Sequence, residues 1–262
     1  MHAESAILAL RAGCHVLIEK PIATSMADAE RMMGEARSAQ RHLCTGMTHR
    51  FYPEVRQAKE CVESGEIGEV VMVRDSILEY AGLLGGPSWY RSRGMAGGGT
   101  VLSSGVHLVD RVLWFLGKTP SSVSGFVSNR MLAGEVEDTA QMSLNFDGCS
   151  AQITFGWLAH PHPLVCDLEL IGTRGSIVVH TWQGWELRGP EGVRHHPIYT
   201  SEPHQVKVIA GLRDEILEFC NAVREGRIPW PPVEETSRAV RIVESFYEAA
   251  QSGETVRLKG AF

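Results

Sequence analysis

The sequence predicts an incomplete doubly wound α/β unit followed by an α+β domain on a large open, mainly antiparallel sheet. Three observations point there. Residues 1–48 alternate helix, strand, helix and strand with short connections, the rhythm of a parallel α/β sheet. From residue 121 to about 200, strands with every second residue apolar follow one another through turns, which describes a sheet with one buried face. Two amphipathic helices then close the chain, so residues 49–262 read as the second domain.

In the first unit, Ala3, Ala6, Ile7 and Leu10 fall at i, i+3, i+4 and i+7. Residues 3–12 therefore read as a helix with one apolar face, stopped by Gly13. His15-Val-Leu-Ile18 is a short apolar run of the kind buried in a parallel sheet. Ser25-Met-Ala-Asp28 has the form of a capping box, and the helix behind it puts Ala29, Met32, Met33 and Ala36 on one face. Residues 42–47 read as a second strand. Two parallel strands leave edges and faces uncovered, so the chain reads as one cut inside a domain.

In the second unit, Pro53 opens a helix with Val55, Ala58 and Val62, closed by Gly65. Residues 69–80 read as a strand, Gly82 to Gly99 as a glycine-rich loop, and Ser103 to Leu116 as a helix. Ala140, Met142, Leu144 and Phe146 alternate, as do Ala151, Ile153, Phe155 and Trp157, with Asp147-Gly148 between them as a hairpin signal. Leu168 and Leu170 lead into a Gly-Thr-Arg-Gly turn at 172–175, and Ile177 and Val179 continue beyond it. One closing helix carries Ile209, Leu212, Ile216, Phe219 and Val223, the other Ala239, Ile242, Phe246 and Ala249. Pro229, Pro231 and Pro232 stiffen their connection.

Composition narrows the function. A net charge of −6 and the lack of any Lys/Arg-rich run argue against nucleic acid. No apolar run approaches the roughly 18 residues of a membrane span. The six cysteines are scattered without short pairs and no secretory leader is visible, which places the chain in the reducing cytoplasm. An exposed sheet face predicts a homo-oligomer, on the general need to cover apolar surface.

Two segments carry chemistry. Glu19-Lys20-Pro21 follows the first strand, and ligands of open α/β sheets sit outside the carboxyl ends of strands. A lysine there can hold positive charge beside a developing alkoxide, although on spacing alone a surface Glu-Lys pair at a strand end is the favoured role. The second segment runs from Gly97 to Asp110. Its glycines permit close approach of backbone to a ligand. Ser103, His107 and Asp110 then fall four and three apart, near one helix face. Histidine suits proton transfer to or from a hydroxyl; a buried helix histidine is the competing role. Trp89-Tyr90-Arg91 lies in the long loop before the glycines, where loops often close over ligands. His160, His162, His195 and His196 lack further ligands at suitable spacing, so no metal is expected. No Gly-x-Gly-x-x-Gly follows a strand, so the phosphate-binding turn of a dinucleotide site is missing.

These segments join in one resemblance. Ala12-Gly-Cys-His-Val-Leu-Ile-Glu-Lys-Pro-Ile-Ala23 resembles the strand and catalytic-lysine motif of the Gfo/Idh/MocA oxidoreductases, which include glucose–fructose oxidoreductase and inositol dehydrogenase. His49-Arg50-Phe51 with Pro53, the Ser64-Gly-Glu-Ile-Gly68 turn, Gly97 to Asp110, Glu137-Asp138 and Gly172-Thr-Arg-Gly175 also fit. The resemblance implies a Rossmann domain for NAD or NADP, here reduced to residues 1–48 by about 80 to 90 missing residues, from the size of βαβ units. Residues 49–262 would then supply the substrate site and oligomer contacts. It implies hydride transfer between NAD(P) and a sugar, polyol or related alcohol. Lys20 would orient the substrate, His107 would move its hydroxyl proton, and Glu19 and Pro21 would border the nicotinamide with Lys20. Arg50, Tyr90, Arg91 and Asp110 would contact the substrate. Ser103 stands where the family usually has aspartate; serine can bind a hydroxyl but cannot raise the basicity of His107. A sugar-binding relative without turnover, or an isolated interaction domain, remains the alternative. The chain alone is expected to bind NAD(P) poorly, because the helix terminus and glycine turn that grip the pyrophosphate are missing.

Overall fold

The computed structural model describes residues 2–81, 88–199 and 201–258. The stretch from Gly82 to residue 87 of the expected glycine-rich loop lies outside them. Helix α1 (His2–Arg11) buries Ala3, Ala6, Ile7 and Leu10, the face that the spacing predicts. Strand β1 (Val16–Ile18) runs parallel to β2 (Leu43–Thr45), with Leu17 opposite Cys44. Between them α2 (Met26–Ala39) begins at Ser25, whose hydroxyl accepts the Asp28 N–H at 3.2 Å. That bond satisfies one of the four orphan donors of a helix start.

The larger sheet has nine strands. They are β3 (Val70–Tyr80), β4 (Ser122–Ser128), β5 (Thr139–Phe146), β6 (Cys149–Leu158), β7 (Val165–Gly172), β8 (Ser176–His180), β9 (Gly184–Gly189), β10 (Gly192–Pro197) and β11 (Val256–Arg257). Their order is β10-β9-β8-β7-β3-β6-β5-β4-β11, and only β3 with β6 is parallel. Asp147-Gly148 makes the β5–β6 hairpin, and residues 172–175 turn β7 into β8. Alternation selects the buried face. Val73, Asp75 and Ile77 of β3 point inward, while Arg74 is exposed.

Helices cover that inner face. They are α3 (Pro53–Glu63), α5 (Val106–Leu116) and α8 (Arg238–Ser252); α4 (Arg93–Ala96) and α7 (Val233–Thr236) are single turns. Helix α8 buries Ala239, Ile242, Phe246 and Ala249 completely or nearly so. Each large apolar side chain so buried is worth about 1.5–3 kcal/mol. Two cores result. One runs from Met47 to Phe246 over the sheet, and the other joins α1, α2 and their strands to Val233 and Val240. The cores divide near Met47, but the second borrows Val233 and Val240 from the end of the chain.

Three expectations change. The helix expected from Ser103 begins at Val106, and residues 101–105 form turns instead. The Glu137 carboxylate takes the Gly99 and Val101 N–H groups and bends the segment before it can coil. In the long helix α6 (His204–Glu225) the apolar stripe does not face the core: Ile209 is 62% exposed and Ile216 50%. Its buried residues are Gly211, Glu215 and Ala222. The helix packs so close to the turn at 48–51 that a Cβ on Gly211 would lie 2.5 Å from the Tyr52 ring, so the small side and not the greasy side must face in. The outer sheet face, finally, is mixed. Arg74, Ser76, Gln152, Thr154, Glu169 and Arg188 line a polar depression there, while Met72 and Phe126 stand exposed at 43% and 76%, so only part of the face carries the apolar argument for a partner. Among the described residues no helix is long and apolar enough to cross a membrane.

Candidate active site

The carboxyl ends of β1 and β2 lie side by side, with Ile18 opposite Thr45. Gly46 donates to the Ile18 carbonyl at 2.8 Å, and a Cβ on Gly46 would meet Glu215 Oε1 at 3.0 Å. Lys20 leaves the end of β1 and donates from Nζ to the Ser103 carbonyl oxygen at 2.9 Å. One of its three donors is thus used, and the bond joins the first unit to the glycine-rich segment across 83 residues.

Beside Lys20 opens a cavity of about 270 Å³. Tyr90, Arg91, Ser103 and Lys20 line it, as four of the expected site residues should. Glu79, Ser104 and Trp157 line it too. Trp89 and Tyr90 stack at 4.1 Å and are both more than a third exposed, so they form a rim and not a wall.

His107 lies one turn further along, 8% exposed, outside the lining but near enough to Lys20 to feel its charge. Its ring stacks on His49 at 4.2 Å and 5°. Burial, then the Lys20 and Arg111 charges, hold the His107 imidazole well below its ordinary value. It is therefore neutral at neutral pH, and it takes up a proton less readily than a free imidazole. Burial, then His107 and Arg111, hold His49 down likewise. Burial also lowers Lys20, while Glu19 and Glu79 favour its charged form.

Arg50 and Asp110 do not join the cavity. Arg50 grips Asp110 with Nε and Nη2 at 2.7 and 2.8 Å, and Nη1 reaches Glu235 at 2.7 Å. Both side chains of the first pair are at most 2% exposed. The expected substrate contact is instead a buried bridge from the 48–51 turn to α5 and α7. The spacing that put Asp110 on the His107 face could not show which neighbour would claim it. Glu19 is exposed and Pro21 half-buried, and both border the β1 end without lining the cavity.

Three further residues were given no role by the sequence, although His49 and Glu137 stand in the segments that carry the resemblance. Glu137 Oε1 accepts from Gly99 N, Val101 N and the Tyr247 hydroxyl at 2.9, 3.1 and 2.8 Å and so shapes the glycine turn. A Cβ on Gly99 would lie 1.8 Å from the Glu137 carbonyl, which explains the glycine. His49 becomes a partner of His107 only through the 48–51 turn. Glu79 had a readable signal: it continues the inward series 73, 75, 77 to the end of β3. Among the described residues no three His, Cys, Asp or Glu gather as a metal site.

The architecture matches known proteins. Residues 1–47 fit the family model described as an oxidoreductase family with an NAD-binding Rossmann fold, and residues 55–178 the GFO/IDH/MocA C-terminal domain. D-glucoside 3-dehydrogenase of Escherichia coli (strain K12) is 33% identical over 118 residues, 44% of this chain and 33% of that protein. A dTDP-3,4-didehydro-2,6-dideoxy-alpha-D-glucose 3-reductase of Actinomadura kijaniata is 26% identical over 255 residues, 96% of this chain and 74% of that protein. The crystal structure of GenD2 from gentamicin A biosynthesis, in complex with NAD, superposes with a TM-score of 0.84 at 26% identity. That match covers 99% of this chain and 76% of the other. The chain spans about a third to a half of the length of several curated relatives that it matches at 30% identity or above.

Proposed function

The chain belongs to the Gfo/Idh/MocA oxidoreductase family, and from that premise we propose that it serves an NAD(P)-dependent oxidoreductase acting on a sugar, polyol or related alcohol. One observation carries the reading: Lys20, presented from the end of β1, sits at a polar cavity with a neutral buried histidine beside it. The carboxyl ends of β1 and β2, bordered by Glu19 and Pro21, would hold the nicotinamide end of such a cofactor, since ligands of open α/β sheets sit outside the carboxyl ends of strands. Nicotinamide, when bound, supplies the hydride acceptor or donor. The chain's own residues hold the alcohol and move its proton. Two N–H donors of Lys20 remain to hold the substrate oxygen and favour its charge as the proton leaves. His107 accepts that proton in oxidation and returns it in reduction.

The six unpaired cysteines support a reducing, cytoplasmic setting. Self-association through the open sheet belongs to the same proposal, with Met72 and Phe126 as its exposed apolar contacts and Arg74, Glu169 and Arg188 as its polar ones. A second reading, a sugar-binding relative without turnover, is favoured by the Ser103 side chain, a hydroxyl that cannot assist the histidine as a carboxylate would.

The test is a fluorescence titration of NAD(H) and NADP(H) against this chain and an upstream-extended form. A screen of sugars and polyols for reduced-nicotinamide absorbance follows, with Lys20→Ala and His107→Ala. Turnover lost in both variants with folding intact is the expected result. Unchanged turnover in both overturns the site, and sugar binding without turnover selects the second reading.

A further inference from the structure

Glu79 and Trp157 lie side by side in the one parallel strand pair of the large sheet, in register with each other. The Trp157 indole N–H donates to Glu79 Oε2 at 3.2 Å, and the other oxygen of Glu79 has no hydrogen-bond partner among the described residues. Both side chains line the cavity that Lys20 enters. The backbone of Trp157 is pinned in turn, its N–H donating to the Asp138 carbonyl at 2.7 Å.

The cavity therefore presents one acceptor-only carboxylate, Glu79, among two donor-only cations, Lys20 and Arg91, and the hydroxyls of Tyr90, Ser103 and Ser104. A hydroxyl both donates and accepts, so adjacent hydroxyls on a ring can satisfy both kinds of group at once. The carboxylate gains most from such donors, because hydrogen bonds to an ionised acceptor are about twice as strong as neutral ones. It also repels an anionic substituent placed directly beside it, in opposition to the pull of Lys20 and Arg91. We propose that Glu79 is the specificity-determining residue of this cavity. It selects a neutral ring with adjacent hydroxyls over a carboxylated one, and Trp157 is the positioning residue that fixes its carboxylate. This rests on the cavity being the substrate site.

The experiment is saturation-transfer NMR of the full chain with myo-inositol, D-glucose and D-glucuronate. It uses the wild type, Glu79→Gln, Trp157→Phe, their double variant and Lys20→Ala. Glutamine keeps the shape of Glu79 and an acceptor for the indole, and thermal midpoints check that each variant folds. The wild type should bind a neutral ring and discriminate against glucuronate. Glu79→Gln should weaken neutral binding by about tenfold and narrow the discrimination. If Trp157 acts through Glu79, the double variant is no weaker than Glu79→Gln alone. Unchanged binding by Glu79→Gln with loss in Lys20→Ala overturns Glu79 and leaves the cavity reading standing. Unchanged binding in both removes the cavity reading as well. Preference for glucuronate, or no binding of any probe by the wild type, overturns the proposal.

Discussion

Glu215 sits on α6, 4% exposed, with the Thr48 hydroxyl donating to its Oε2 at 3.0 Å. Burial, opposed by that one bond and reinforced by the Glu19 charge, pushes its carboxyl from 4.5 to about 7. The consequence is a stability that depends on pH. The folded chain holds a proton that the unfolded chain has released, so this group favours folding below pH 4.5. That advantage is lost as pH rises through about 7. A span of about 2.5 pH units at 1.36 kcal/mol each gives about 3 kcal/mol. Glu215→Gln removes the titration and keeps an acceptor for Thr48. Urea unfolding followed by tryptophan fluorescence, from pH 5 to pH 8, reads both proteins. Asp75, which burial raises to about 6 against the pull of Arg111, titrates in both and cancels in the difference. The variant should gain on the wild type by up to about 3 kcal/mol as pH rises. A difference that stays constant across that range refutes the argument.

Other outcomes follow from single contacts. Asp110→Ala strands the Arg50 guanidinium in the core with only Glu235, and calorimetry should find a loss of about 3–5 kcal/mol. Gly99→Ala forces a methyl onto the Glu137 carbonyl, and denaturant unfolding should show a loss of about 1–3 kcal/mol or more, with substrate binding lost first. Tyr247→Phe removes one of three donors to a buried carboxylate, and unfolding should report about 1.5–3 kcal/mol.

Most of the fold was legible because it rests on period. The alternation through 140–157 and the i, i+3, i+4 faces of α1 and α8 appear as read. Lys20 and Ser103 stand in the two segments that the sequence singles out for chemistry, and the fold joins them by one hydrogen bond. What was not legible depends on partners. The stripe of Ile209 and Ile216 looks like a core face until Gly211 and Glu215 are seen to dock on the 48–51 turn. Arg50 and Asp110 carry the charges of a binding pair, but they lie 60 residues apart, and only the fold shows that they neutralise each other. Glu137 is likewise decided by three donors from two distant segments.

The clamp on Glu137 also sets an order of events during synthesis. Its third donor, Tyr247, lies 110 residues downstream, on the last long helix. A ribosome that has released the glycine turn has still to make most of the sheet and α8 before that bond can form. The nascent chain thus carries its chemistry early and its final shape late. A stalled or prematurely ended chain would hold Lys20, Ser103 and His107 without the tyrosine that completes the turn between them.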